Sequence, residues 1–166
     1  MRTLIFLIPS MLLVLLSCHV QVTKDNDEAI TQDKTAEKSY DPELAAQLGA
    51  DEYGMKMYVM AFLKEGPNRD LDSAAAADLQ RAHLDNISRM AEEGQLSVAG
   101  PFAADGNPVR GIYIFNVETI EEARKLTKTD PAIQAGSLEM ELRQWYGSAA
   151  LQLLVEEHAR VAKQNI

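Results

Sequence analysis

The chain has 166 residues, 46% of them hydrophobic and 25% charged, which suits one globular domain with a modest extension. Its 25 acidic residues against 16 Lys and Arg give a formal net charge of -9, which argues against nucleic acid as a partner and against electrostatic attachment to anionic headgroups. A single cysteine rules out an intramolecular disulfide and any cysteine-based metal site.

Residues 1–17 read as a signal peptide. Arg2 supplies a positive start, Thr3 to Leu16 form an apolar run, and Leu15-Leu16-Ser17-Cys18 ends it with a small residue before cysteine. The run is shorter than the roughly 20 apolar residues of a membrane-spanning helix. Its end resembles a bacterial lipobox, and the resemblance implies that Cys18 is acylated and becomes the new amino terminus. The lipid bilayer is then a partner, and the protein is anchored in the cell envelope on the extracytoplasmic side. An ordinary secretory signal or short anchor is the alternative, with Cys18 incidental. From Cys18 to Tyr40 the chain is polar, mixed in charge and nearly free of large apolar residues, so it reads as a disordered tether spanning roughly 25 Å.

Residues 41–54 start with Asp41-Pro42-Glu43, a cap followed by proline at the first helical position, and predict a short helix and lead-in. The core domain is expected over residues 55–147. Met57 to Leu63 is a continuous apolar run that suits a buried central strand. Asp70 to Glu93 predicts the longest helix, closed by Gly94, with Ala76, Leu79, His83, Ile87 and Met90 in one stripe at about 100° per residue. Leu96–Ala99 and Arg110–Val117 predict two strands of a hairpin around the turn AADGNP. Thr119 caps a second helix that ends near Asp130-Pro131, and Leu138 to Arg143 alternates as a half-buried strand. Residues 148–166 carry a last amphipathic helix, Ala149 to Lys163.

The order strand, helix, strand, strand, helix, strand is the ferredoxin-like β-α-β-β-α-β pattern of an α+β domain, here with an extra helix at each end. Helices on one face of a four-stranded antiparallel sheet leave the other face to be covered by a second subunit or by the terminal helices.

Several segments together resemble the YCII-related proteins: the strand YVMAFLK, Arg81-Ala82-His83-Leu84 within the long helix, and Glu93-Gly94-Gln95-Leu96 leading to Ala99-Gly100-Pro101-Phe102. The strand GIYIFNV and Glu121-Glu122-Ala123 followed by Thr129-Asp130-Pro131 complete the likeness, which covers about residues 55 to 147. It implies a dimeric α/β barrel formed sheet to sheet by a homodimer. It also implies a helix–sheet pocket in which His83 and Asp130 form a catalytic dyad. Two departures stand out: YCII domains are usually cytoplasmic, and LEMELRQWYG lacks a proline that many relatives carry near its end.

His83 on the apolar stripe is a candidate general acid or base, since imidazole titrates near pH 6.5, and Asp130 would fix its tautomer. The plainer alternatives are a neutral core histidine and an aspartate that caps the turn before proline. Tyr58, Tyr113, Trp145 and Phe102 are candidate aromatic walls for a ligand; core or interface packing and a simple Gly-Pro-Phe turn are the alternatives. His19, His83 and His158 are too dispersed for a metal site, and no Gly-rich phosphate loop is present, so neither metal nor cofactor is expected. The expected activity is proton transfer on a small organic molecule, as in a lyase, isomerase or dehydrohalogenase. The alternative is a non-catalytic ligand-binding or interaction module of the cell envelope.

Overall fold

The computed structural model describes residues 39–103 and 106–164. The expected signal peptide, the lipidation site Cys18 and the tether through residue 38 lie outside the described residues.

Helix α1 (Pro42–Gln47) starts as its sequence dictates: the Asp41 carboxylate accepts the Glu43 and Leu44 amides, both at 3.0 Å, ahead of Pro42. Strand β1 (Met55–Glu65) is central, and helix α2 (Ser73–Glu92) follows it with Asp72 as its cap. The helix is closed by Gly94 at φ 70°, where the Gln95 amide reaches Met90 O at 2.9 Å and the Gly94 amide reaches Ala91 O at 3.0 Å. Strands β2 (Leu96–Pro101) and β3 (Val109–Phe115) form the expected hairpin. Helix α3 (Ile120–Thr127) begins with a reciprocal capping box between Thr119 and Glu122.

Three boundaries differ from expectation. Asp130-Pro131 does not only end α3; it opens a further one-turn helix, α4 (Pro131–Gln134), with Asp130 as cap and Pro131 at the first position. Strand β4 (Leu138–Ser148) continues past Arg143, because Gln144 to Ser148 go on pairing with β1. The single C-terminal helix is instead a 3-10 helix, Ala149–Leu153, followed by α5 (Leu154–Val161), with the Ser148 hydroxyl accepting the Ala150 amide at 3.3 Å.

The strands form one antiparallel sheet in the order β2-β3-β1-β4, so the chain is a ferredoxin-like α+β domain. Strand alternation sends Val59, Ala61, Leu63, Tyr113 and Phe115 toward the helices, where they pack with Met90 and Ala123. Tyr58, Met60, Phe62, Ile112, Ile114 and Trp145 take the opposite face. The 3-10 helix and α5 pack against β1 and β2, and Tyr58 is sealed, its hydroxyl donating to Ser148 O at 3.0 Å. Met60, Phe62, Val98, Ile112 and Trp145 stay only half-buried.

Candidate active site

Position 83 falls on the side of α2 that meets the sheet, together with Asn86 and Met90 at spacings of three and four. An imidazole there is 7% exposed and needs partners for both nitrogens. Asp130 supplies the first. Its role as cap of α4 turns its carboxylate inward, where Oδ1 accepts the Ala132 amide at 2.9 Å. His83 Nδ1 lies 2.8 Å from Oδ2 and 3.0 Å from Oδ1 of that fully buried carboxylate.

Tyr113 faces the second nitrogen from β3, its hydroxyl 3.3 Å from His83 Nε2. The two rings lie nearly parallel, 21° apart with centroids 6.3 Å distant, and Phe115 meets Tyr113 edge-on. Burial first, then the charge of the Asp130 carboxylate and its hydrogen bonding, hold the Tyr113 hydroxyl far above its ordinary ionisation range. It is therefore a neutral donor. The resulting order is Tyr113 O–H donating to Nε2 and Nδ1–H donating to Asp130, which assigns the imidazole its tautomer from the bonds it makes.

A polar corner secures this arrangement on one side. Arg89 Nη2 donates to Asn86 Oδ1 at 2.9 Å and to Thr129 Oγ1 at 3.1 Å, and Thr129 Oγ1 is 3.0 Å from Asn86 Oδ1. Asn86 and Thr129 are direct neighbours of the dyad, one a helical turn beyond His83 and the other next to Asp130 in sequence. On the other side lies a cleft of about 250 Å³ between the β1–α2 connection, α2 and the start of β4. Leu79 and Gln80, which precede His83 by one turn, line it, as does Ala132. His83 itself does not.

The expected aromatic walls are not gathered here. Tyr58 and Trp145 pack against each other, ring centroids 6.0 Å apart, on the face of the sheet away from the helices, because their positions in β1 and β4 alternate with the core residues. Phe102 follows the end of β2, is 51% exposed and lines neither this cleft nor the one beside Thr127 and Met140. Of the four aromatics, only Tyr113 meets His83. Sequence reasoning missed Asn86 and Arg89, since a polar side chain on an otherwise apolar stripe and an arginine beside it have no pattern of their own, and it took Thr129 only as part of the Thr129-Asp130-Pro131 segment. Among the described residues, no three His, Cys, Asp or Glu side chains come together to hold a metal ion, and no helix is long and apolar enough to cross a membrane.

The YCII-related domain profile matches residues 57–146, more than half of the chain. This protein belongs to the YCII-related family. The uncharacterized protein YjpA of Bacillus subtilis (strain 168) is 29% identical over 63 residues, which are 38% of this chain and 71% of YjpA. Among solved structures, the 5-chloro-2-hydroxyhydroquinone dehydrochlorinase TftG of Burkholderia phenoliruptrix AC1100, in complex with 2,5-dihydroxybenzoquinone, is 18% identical. It aligns at a TM-score of 0.39 over 54% of this chain and 93% of its own. His83, Tyr113 and Asp130 all fall inside the YCII-related span, whereas α1 and α5 lie outside it.

Proposed function

We propose that this YCII-related domain is a small-molecule enzyme in which His83 moves a proton as general acid and base while Asp130 orients it, in the manner of a lyase or isomerase. The observation that carries the reading is the 2.8 Å contact of Nδ1 with a fully buried carboxylate, which fixes the ring and stabilises an imidazolium when one forms. Tyr113 guards Nε2 in the resting protein, and substrate entering beside Leu79 and Ala132 displaces its hydroxyl to reach that nitrogen. The test is a screen of small carbon acids and halogenated aromatics in D2O, read as deuterium incorporation or halide release. Activity lost in His83→Gln and Asp130→Asn, with folding retained by circular dichroism, supports the reading. Turnover unchanged in either variant refutes it.

One observation favours a second reading, a binding module without turnover: Nε2 is capped by a buried phenol and His83 lines neither of the two clefts described above. On that reading Tyr113, His83 and Asp130 only rigidify the core. A screen without turnover, paired with ligands that raise the melting temperature, decides for it.

The half-buried apolar face formed by Met60, Phe62, Val98, Ile112 and Trp145 supports a homodimer built sheet to sheet. Trp145 is the sole tryptophan of the chain, so its emission should shift to the red on dilution as mass falls to that of a monomer in sedimentation. Emission and mass independent of concentration, at a monomer's mass, count against the dimer. The grammar of residues 1–18 supports attachment to the bilayer on the extracytoplasmic side through acylated Cys18. Metabolic labelling with a palmitate analogue should mark the wild-type protein and not Cys18→Ser; equal labelling of both excludes this attachment.

A further inference from the structure

The cleft beside the dyad has a floor and a charge. Leu71, Leu79 and Leu138 give it apolar walls, and Arg69 stands among its lining residues. Arg69 is weakly committed. Its guanidinium reaches Glu65 Oε1 and Ser137 O only at 3.5 Å each, and its side chain is 55% exposed. Glu65, the nearby carboxylate that competes for it, is held more closely by Arg110, whose Nε donates to the same Oε1 at 3.1 Å. A guanidinium carries five donors in a fork that matches a carboxylate, and most of these remain to be used. At about 250 Å³ the cleft falls below the roughly 300–1,000 Å³ typical of pockets for drug-sized ligands.

We propose that this cleft binds small organic carboxylates, with Arg69 receiving the carboxylate and the apolar body lying on Leu71, Leu79 and Leu138. This assigns a substrate class to the His83 site, and any turnover of the bound carboxylate rests on His83 and Asp130 acting as the proposed dyad. With the carboxylate at Arg69, the body of the molecule extends toward Ala132 and the turn of α2 that carries His83. A neutral molecule of the same shape has the floor without the anchor.

The test is calorimetric titration of the full chain, in detergent, with sodium benzoate and with benzamide as its neutral counterpart. Benzoate should bind saturably at one site, and benzamide at least about tenfold more weakly, as expected when a charge-assisted pair is lost. Arg69→Gln should erase that preference, Arg69→Lys should retain part of it, and Arg160→Gln, on α5, should leave it intact. Equal affinity for the two molecules, benzoate binding unaffected by Arg69→Gln, or no saturable benzoate binding overturns the site. Binding is read without turnover, so His83→Gln should keep benzoate affinity. An inactive chain that binds benzoate through Arg69 therefore removes the catalytic reading alone, and an active chain indifferent to Arg69→Gln removes the anion site alone.

Discussion

Replacing His83 by alanine should destabilise the protein far more than removal of an ordinary surface histidine. Asp130 is 0% exposed, and after the substitution its carboxylate keeps the Ala132 amide but loses the imidazole that meets both of its oxygens. Removing a neutral imidazole that donates to a buried carboxylate costs about 1.5–3 kcal/mol, because the acceptor is left desolvated without its donor. For a domain of this size that amounts to a fall in melting temperature of roughly 5–15 °C. Urea unfolding of His83→Ala measures the loss, and a cycle with Asp130→Asn isolates its origin. With a neutral amide at 130 the further loss from His83→Ala should shrink by about 0.5–3 kcal/mol, the range found for residues in one network. A His83→Ala protein within about 1 kcal/mol of wild type, or strictly additive substitutions, would refute the argument. The same reasoning makes His83→Gln, which keeps a polar group beside Asp130, the cleaner variant for activity.

Alkaline titration tests Tyr113. Its folded-state ionisation is raised above the ordinary value near 10, so its contribution to stability is complete below that pH and is lost as pH rises further. The absorbance of wild type at high pH should therefore match that of Tyr113→Phe until both unfold; a phenolate signal from Tyr113 in the folded protein near pH 10 contradicts this. At the acid end, Arg110 holds Glu65, and Lys64 and Arg143 hold Glu141, below the usual carboxylate range. These contributions are present above the ordinary carboxylate value and vanish as pH falls through the lower folded ones, so Glu65→Gln and Glu141→Gln should flatten the acid limb of the stability curve. An unchanged limb rules out that account. Gly66 abuts the backbone at Gly136 and Ser137, where an added Cβ meets atoms that cannot move aside. Gly66→Ala should cost roughly 1–3 kcal/mol in urea unfolding, and wild-type stability would show that the connecting backbone yields there.

The architecture was legible because each element carried its own signals. The caps at Asp41 and Thr119 and the glycine stop at Gly94 all fall where the folded chain uses them. The end of β4 was not legible, since Gln144 to Ser148 owe their strand to eleven residues of pairing with β1 rather than to any alternation of their own. Asp130 was ambiguous for a physical reason: an aspartate before proline both ends one helix and caps another, and the cap is what turns its carboxylate toward His83. The parity of GIYIFNV sets Tyr113 on the face of Phe115 and hence under α2, a signal present in the sequence although the residue type alone leaves ligand wall, core and interface open. Parity in the same way carries Tyr58 and Trp145 to the far face.

Strand β1 lies between β3 and β4, and its first residue pairs with the last of β4, Met55 with Ser148. A growing chain thus exposes the central strand long before either neighbour has been synthesised. Such distant pairing raises contact order and slows folding, because loop closure must precede any gain from the ladder. Only β4, the last strand made, completes the sheet, so one edge of β1 waits unpaired until residues 138–148 have been synthesised.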